Sequence, residues 1–444
     1  MHAINKSNSK EGYLDKKMAT SKNNFSKFLV LWSGELISAI GGGISAFGLG
    51  VYVFNMTGKA SDTALVTLLA FLPCLLLSAP AGVLADRYDR RLMMILGDSL
   101  SALGLVYILI CMLIGQGTLT QICIGVTISS VFSSLLEPSY KATVTDLLTK
   151  DEYSKASGLV QAAGSARYLI SPAIAGALLV YYDIKLLLII DICTFFVTVV
   201  ATLIVRSNLA SKVEQKRESF LREFKIGWKA LNARKGVMTL VVITSVITLF
   251  IGFIQVLSTP MMLGFTTSGV LGAVETISAS GMLVASVAIG FLSLKSKLVR
   301  ILSASLFCAG IFMMLFGFRE NVYIICIAGF LFFAMLPFGN TCLDVLIRSN
   351  IDNEFQGRAW GLIGMISQIG YVISYAISGV LADKVFTPLL VKNGLLASSI
   401  GKIIGTGQGR GTGFLIIVAG MFLCISAIIL GLNKSVKSLE KKRV

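Results

Sequence analysis

Residues 82–91 read GVLADRYDRR, a short polar stretch between two long apolar runs. The stretch brings Asp86, Arg87, Arg90 and Arg91 close together along the chain, and each flanking run is long enough to cross a bilayer. A charged loop this tight between membrane helices predicts a latch that ties the helices together reversibly. A protein that opens alternately to the two sides of a membrane needs a lock of this kind.

Similar apolar runs recur along the whole chain. Of its 444 residues, 55% are hydrophobic and 14% are charged, whereas soluble proteins carry about 25% charged residues. A spanning helix needs roughly 20 apolar residues, because the bilayer core is about 30 Å thick. We number the runs of this length spans 1–12: 28–54, 62–84, 91–114, 119–140, 156–181, 184–205, 236–263, 269–294, 298–318, 322–346, 359–383 and 412–432. The sequence predicts an all-α integral membrane protein with 12 transmembrane helices.

Basic residues are distributed unevenly between the two sides of these spans. With the N-terminus in the cytoplasm, 31 of the 39 Lys and Arg residues lie on the cytoplasmic side, 7 lie on the outer side, and Arg167 lies within span 5. This asymmetry follows the positive-inside rule and predicts a plasma-membrane protein with both termini in the cytoplasm. The net charge of +16 then reflects topology and contact with anionic lipid headgroups, and no nucleic-acid module is visible.

The spans fall into two groups of six. We expect a cytoplasmic tail at 1–27, a six-helix bundle at 28–205, a cytoplasmic linker at 206–235, a second six-helix bundle at 236–432 and a tail at 433–444. Faint repeats, such as residues 82–87 against 290–295, indicate a duplicated unit. Two pseudo-symmetric bundles would bind a small-molecule substrate between them near the membrane midplane. We expect the protein to act as a monomer within the lipid bilayer.

The linker has a pattern of its own. Phe220, Phe224, Trp228 and Leu231 recur at helical spacing among many basic residues. The spacing favours a basic amphipathic helix on the inner membrane surface, and an ordinary solvated linker is the alternative.

Several kinds of chemistry are disfavoured by the residues present. The eight cysteines fall within the spans without CxxC spacing, and the single histidine, His2, lies in the tail. The glycine-rich stretch 405–411 has no preceding strand, so it predicts a turn and not a phosphate-binding loop. We therefore expect no enzyme activity, no cofactor and no metal site. Without a nucleotide-binding loop, an ion gradient, with protons as the favoured ion, is the remaining energy source.

A family resemblance rests on the charged loop. Gly82, Asp86, Arg87, Arg90 and Arg91 match G-x-x-x-D-R-x-G-R-R, the signature of the major facilitator superfamily, and the chain resembles that superfamily over nearly all of residues 25–432. Asp89 departs from the pattern, because most members have glycine there. Within the superfamily, the chain resembles the bacterial macrolide-efflux and enterobactin-exporter branch, whose members export unrelated compounds.

The resemblance implies the major facilitator fold and a role for the loop. In the family the loop locks the cytoplasmic ends of spans 2 and 11 in the outward-open state. Gly82 would let a neighbouring helix approach closely, and Asp86 would pair with Arg90 or Arg91 or face a helix N-terminus. Asp98 and Asp191 lie where relatives also carry aspartate. We expect Asp98 to support the lock and Asp191 to act in helix packing or gating.

Charged residues inside spans are costly, so each is a candidate functional residue. Glu35 lies on a polar stripe of span 1 that includes Ser38, and a carboxyl group in a low-dielectric medium can exchange protons. Proton or cation coupling and a structural ion pair are the two interpretations of Glu35. Arg167 would pair with Glu35 or Glu137, or contact an anionic substrate.

The remaining candidates lie on other spans. Asp344 of span 10 would pair with Arg348 or Arg358 at the cytoplasmic gate, and Glu275 lies near the outer end of span 8, where solvent can account for it. The candidate proton or substrate cavity comprises Glu35, Ser38, Glu137, Arg167, Gln255, Asp344 and Gln368. For Gln255 and Gln368, hydrogen bonding between neighbouring helices is the alternative. Helix packing and a kink in span 5 are expected at Gly164, Pro172 and Gly176.

These patterns together predict proton-coupled export of a hydrophobic or amphiphilic small molecule, drug-like, macrolide-like or siderophore-like, by alternating access. Two rival functions stay open at this point. One is an uptake carrier or facilitator on the same fold, and the other is a lipid translocator or a membrane scaffold that transports nothing. Substrate flux with and without a proton gradient discriminates among them.

Overall fold

The structure is a computed structural model that describes residues 2–115, 117–149, 151–206, 225, 228, 229, 231, 232, 235–292, 296–352 and 355–441, with the side chains of 2–23, 154 and 357 left aside. Phe220 and Phe224, on which the predicted linker helix depends, lie outside these residues. Of the other two linker residues, Leu231 is fully buried and Trp228 is exposed. The terms cytoplasmic and outer denote the two sides as the charge distribution predicts them.

Helices make up the described part of the chain, which contains no strand. The first half consists of His2–Thr57, Ala60–Arg87, Arg90–Ile114, Leu119–Ser133, Leu136–Leu147, Tyr153–Leu169, Ser171–Tyr181 and Ile184–Arg206. The second half consists of Lys235–Met262, Ser268–Phe291, Leu298–Phe318, Val322–Arg348, Gln356–Leu381, the π-helical turn Ala382–Phe386, Thr387–Leu390, Ile400–Ile404, Arg410–Leu432 and Lys434–Lys441. These helices provide 12 stretches long and apolar enough to span a membrane, so the predicted fold class is confirmed.

Spans 4 and 5 are each built from two helices. Span 5 breaks at Ile170, immediately before Ser171 and Pro172, because a proline lacks the N–H of the helical hydrogen bond and its ring clashes with the preceding turn. Span 11 runs further than the apolar pattern predicts, through the π-helical turn to Leu390. Large apolar side chains such as Phe291, 88% exposed, lie on the surface, where lipid can cover them.

The folded chain divides into two compact units. Unit 1 comprises Met1–Ser45, Leu72–Arg167 and Lys185–Gln215, and unit 2 comprises Ala46–Phe71, Tyr168–Ile184 and Lys216–Val444. The division differs from the two halves of the sequence, because the outer ends of spans 1, 2 and 5 belong to unit 2. Each unit has its own packing, described separately below.

Small residues set the helix spacing within unit 1. Span 3 packs on span 4, where a Cβ added at Gly104 would overlap the Gly125 carbonyl oxygen. Span 1 packs on span 6, where a Cβ at Gly41 would overlap the side chain of Thr194. In a bilayer, helices associate through such close backbone approach rather than through a hydrophobic driving force.

Unit 2 has a continuous apolar interior. Span 7 packs on span 11, span 8 on span 10, and span 9 on both span 10 and span 12. Side chains from several of these spans, including Leu240, Leu302 and Ile416, are fully buried. The second half of span 5 also packs on span 8 inside this unit.

Candidate functional site

The charged loop is tied to the end of span 4 within unit 1. Arg90 lies 3.8 Å from Asp86 and 2.8 Å from Asp146, so one guanidinium joins two carboxylates. Arg91 is buried, whereas Arg87 is exposed. The side chains of Arg90 and Asp86 are 26% and 35% exposed. Partly solvated pairs of this kind are worth about 0–1 kcal/mol, which is weak enough to break in a transport cycle.

Asp89, the departure from the signature, holds the loop to two helices. Its carboxylate accepts from the Arg91 backbone N–H at 3.0 Å, which caps the first turn of span 3. It also accepts from Arg206 Nε at 3.2 Å, at the cytoplasmic end of span 6. Glycine could make neither interaction. Sequence reasoning noted the departure but missed this role, although an aspartate just before a helix is a capping signal.

We expect Asp89→Ala to lower the free energy of unfolding by about 1 kcal/mol, because the cap and the ion pair are both lost. Asp89→Asn is the matched variant, since its side-chain oxygen still caps span 3 and only the charge is removed. The midpoint of thermal unfolding in detergent should be similar for wild type and Asp89→Asn and lower for Asp89→Ala. Equal midpoints for all three would contradict the capping role.

Gly82 makes no close contact in this conformation. A Cβ added there would meet nothing within 4 Å among the described residues, and the same holds for its counterpart Gly290. The helix approach that the sequence assigned to Gly82 is therefore absent from the arrangement seen here.

Among the charged side chains inside the spans of unit 1 are Glu35, Asp98, Arg167 and Asp191. Asp98 and Asp191 are 1% and 2% exposed, Glu35 is half-buried, and Arg167 is exposed. Asp98 interacts electrostatically with Glu35 and Asp191. Glu35 and Asp191 each interact electrostatically with Arg167. The structure thus brings three carboxyl groups together, and the guanidinium of Arg167 interacts with two of them, Glu35 and Asp191.

We call Glu35, Asp98 and Asp191 the acid cluster. Among the described residues, hydrogen bonds reach only some of its carboxyl oxygens. Asp191 accepts from Ser45 Oγ and from Thr194 Oγ1. Asp98 Oδ2 has no hydrogen-bond partner in the described part of the chain. Because an unpaired charge is costly away from water, three neighbouring ionised carboxyl groups would be costly there, with Arg167 offsetting the charge of only two of them.

Two predicted cavity acids pair with bases on their own helices. Glu137 pairs with Lys141 and has 71% of its side chain exposed, and Asp344 lies 3.0 Å from Arg348. Among the described residues, Arg167 forms no ion pair within 4.0 Å with Glu137 or with Glu35. The direct pairing of Arg167 that the sequence suggested is absent, and only longer-range attraction to Glu35 remains.

The other predicted cavity residues make few contacts. Ser38 and Gln368 are half-buried, and neither forms a hydrogen bond within the described ranges. Gln255 accepts from the Tyr375 hydroxyl at 2.7 Å, which links span 7 to span 11 inside unit 2.

Glu275 is a site that sequence reasoning undervalued. Solvent was expected to account for it, but the residue is half-buried and its Oε1 accepts from Ser258 Oγ at 2.9 Å. The missed signal was its register, because span 8 starts at Ser268 and Glu275 lies two turns inside it.

The outer ends of spans 2 and 11 meet within unit 2. Asp383 accepts from the Ala60 N–H at 3.1 Å and the Ser61 N–H at 2.8 Å, which are the first amides of span 2 and have no partner in their own helix. A Cβ added at Gly379 would lie only 2.5 Å from Ser61 Cα. A carboxylate at a helix N-terminus is also favoured by the helix dipole. This contact closes the outer ends of the two helices on each other.

The outer ends of spans 5 and 8 cross at a pair of glycines. A Cβ at Gly176 would lie 2.8 Å from the Ser268 carbonyl oxygen and 3.0 Å from Gly272 Cα, and a Cβ at Gly272 would overlap the Pro172 carbonyl oxygen. In contrast, a Cβ at Gly164 would meet nothing within 4 Å of the described chain. Only Gly176 of these two glycines lies at a helix crossing in this structure.

The outer segment before span 12 is folded around a buried arginine. Arg410 is 1% exposed, its Nε lies 3.0 Å from Glu320 Oε1, and its Nη1 donates to the Ile404 carbonyl at 2.9 Å. Gly405 and Gly409 have φ values of 96° and 84°, which favour glycine. The glycine-rich stretch is a turn that accommodates this buried arginine.

A membrane protein with 12 spans, buried charges within them and a charged loop at their cytoplasmic ends has the architecture of a membrane transporter. Residues 31–375 match the profile of the Major Facilitator Superfamily. The chain belongs to this superfamily and is a multi-pass membrane transporter, not an enzyme.

Similarity to named transporters supports this assignment. The chain is 26% identical to Macrolide efflux protein A of Streptococcus pyogenes over 366 residues, 81% of this chain and 90% of that one. It is 24% identical to the Staphyloferrin A transporter of Staphylococcus aureus, over 75% of this chain and 84% of that one. Its fold is similar to that of a bacterial homologue of the iron transporter ferroportin in an inward-facing state, with a TM-score of 0.69, 13% identity and coverage of 92% and 99%.

Proposed function

We propose that this protein is a secondary active transporter of the plasma membrane that exports a hydrophobic or amphiphilic small molecule in exchange for protons. It works by alternating access, as a monomer, with both termini in the cytoplasm. The acid cluster beside Arg167 carries the proposal. Three neighbouring charged carboxyl groups are costly in a low-dielectric site, which favours uptake and release of protons by the cluster.

Similarity to a protein named for macrolide efflux supports export and an amphiphilic cargo. Similarity to a protein named for staphyloferrin A transport supports a siderophore-like cargo as the second candidate. Uptake of both kinds of compound into inside-out vesicles tests the proposal, with a proton gradient imposed and then collapsed by a protonophore. Accumulation that disappears with the gradient supports proton-coupled export, and accumulation that ignores it contradicts the coupling.

Two gates on opposite sides of the membrane would produce the alternation. On the outer side, the Asp383 contact holds span 2 to span 11. The Gly176 crossing holds span 5 to span 8. The charged loop at 82–91 is the proposed cytoplasmic latch. Its solvated ion pairs are weak, which suits a contact that must form and break in every cycle.

We expect Asp86→Asn to insert normally but to transport several-fold more slowly, because the loop loses one carboxylate of the Arg90 bridge. The control is Asp151→Asn, an exposed loop change of the same kind outside the Arg90 bridge, which should leave transport unchanged. Transport and thiol accessibility from each side, measured with cysteines introduced in the loop, report on the latch. A normal transport rate and unchanged thiol accessibility in Asp86→Asn would show that the loop is only a turn whose charges set the membrane topology.

A further inference from the structure

The buried side chain of Arg410 joins the start of span 12 to the ends of two other helices. Its Nη1 donates to the Ile404 carbonyl at 2.9 Å and lies 3.5 Å from the Phe318 carbonyl oxygen. Ile404 ends a short helix of the outer segment, and Phe318 ends the helix of span 9. Carbonyls at a helix C-terminus have no partner in their own helix and attract a cation. The Arg410 guanidinium, paired with Glu320, therefore fixes where span 12 begins.

The first turns of span 12 also contact the end of the π-helical turn in span 11. A Cβ added at Gly411 would lie 2.3 Å from Thr387 Cα and 2.6 Å from the Phe386 carbonyl carbon. The Phe386 ring meets the Phe414 ring edge-on, with centroids 5.5 Å apart. Because the two backbones are this close, the position of the π-helical turn depends on the position of span 12.

The glycine-rich turn before Arg410 adds contacts to two further helices. The Gly407 N–H donates to the Leu390 carbonyl at 3.1 Å, at the end of span 11. A Cβ added at Gly409 would lie 2.7 Å from the Met261 carbonyl oxygen of span 7. The outer segment is thus packed against the same helix that carries the π-helical turn.

Asp383 is the second residue of the π-helical turn Ala382–Phe386. Its Oδ1 accepts from the Ala60 N–H and its Oδ2 from the Ser61 N–H, an arrangement that we call the outer contact. Both oxygens are used at once, so the contact requires the turn to be held in one position against span 2. Turns of this kind are rare and occur frequently at functional sites.

We propose that Arg410 is a positioning residue for the outer contact. By fixing the start of span 12, it holds the π-helical turn where Asp383 reaches the first amides of span 2. The inference rests on the outer gate of the proposed function and adds that the outer segment determines how firmly this gate closes.

Thiol labelling of the purified full-length protein in lipid nanodiscs tests this role. A cysteine introduced as Ser61→Cys keeps the backbone N–H of the outer contact, and its reaction rate with a charged maleimide reports on opening at that position. The same proteins without Ser61→Cys give the background from the native cysteines. We expect Asp383→Ala to raise the labelling rate roughly fivefold, as the loss of a helix cap would.

Arg410→Gln should raise the labelling rate by a similar factor. Arg410→Lys should fall between wild type and Arg410→Gln, because a single ammonium group keeps the charge but not the planar fork. The matched control is Arg319→Gln, the same change at an exposed arginine of the same region, which should label as wild type does. The decisive variant combines Arg410→Gln with Asp383→Ala. It should label no faster than Asp383→Ala alone, because Arg410 acts through Asp383.

The outcomes separate this inference from the proposed function. Unchanged labelling in Arg410→Gln while Asp383→Ala labels faster, or effects that multiply in the double variant, would overturn the positioning role and leave the outer gate intact. Unchanged labelling in Asp383→Ala would contradict the outer gate and the positioning role together. If Arg410→Gln is not monodisperse, Arg410→Lys replaces it in the same double-variant comparison and decides the question by the same criteria.

Discussion

The Glu35→Gln variant is expected to lose proton-driven accumulation by at least roughly tenfold, while substrate binding and downhill flux persist. Glutamine has nearly the shape of the neutral acid but cannot release a proton. In the acid cluster Glu35 interacts with both Asp98 and Arg167, so fixing it in a neutral form removes the step that links protonation to transport. The measurement is pH-dependent uptake into inside-out vesicles.

Glu137→Gln is the matched control for this experiment. The chemical change is identical, but Glu137 pairs with Lys141 and is largely exposed, so solvent screens its electrostatic interaction with Glu35. We expect its accumulation to stay within about twofold of wild type, since an exposed i,i+4 pair contributes little. Normal proton-coupled accumulation in Glu35→Gln would contradict the coupling role. Coupling would then have to be carried by Asp98 or Asp191 or be abandoned for a facilitator.

The second large effect is expected from Gly176→Ala, which should reduce transport by roughly five- to a hundredfold. The added Cβ would lie 2.8 Å from the Ser268 carbonyl oxygen and 3.0 Å from Gly272 Cα, and backbone atoms cannot move aside as a flexible side chain can. Spans 5 and 8 would separate, and the outer side would close less fully. Transport and outer thiol accessibility are the measurements.

Gly164→Ala is the control on the same span. A Cβ there meets nothing within 4 Å of the described chain, so we expect near-normal transport. Equal effects of the two substitutions would mean that helix propensity, and not the crossing, governs the outcome. An unimpaired Gly176→Ala variant with wild-type accessibility would show that the outer crossing is not a gate.

The sequence was sufficient for the fold because the bilayer imposes a simple rule. A span must be apolar over roughly 20 residues, so counting runs and weighing loop charge predicts 12 helices directly. The π-helical extension of span 11 was missed, because the apolar run stops at the charges of Asp383 and Lys384 although the helix continues to Leu390. Polar residues at helix ends are stabilised by contacts that a linear pattern does not contain.

Long-range partners were the harder part of the site. Glu35 and Arg167 stand out as charges in apolar runs, but their electrostatic neighbours Asp98 and Asp191 come from other helices and depend on packing. Sequence spacing cannot distinguish Gly164 from Gly176. They differ because span 8 crosses span 5 at Gly176 and no described helix approaches Gly164 as closely.

Glu275 was undervalued for a related reason. Its position near a predicted span end suggests solvation, and only its bond to Ser258 shows that the side chain faces span 7. A carboxyl group near the end of a span is therefore best judged by its helical register against the neighbouring helices.

The central claim is that substrate movement is coupled to protons, and proton flux measures this most directly. Purified protein is placed in liposomes that contain a trapped pH-sensitive dye, without ATP, and a macrolide antibiotic is added. We predict substrate-dependent proton movement opposite to the substrate, absent from Glu35→Gln and retained in Glu137→Gln. Substrate transport at the wild-type rate with no change in internal pH would contradict the account.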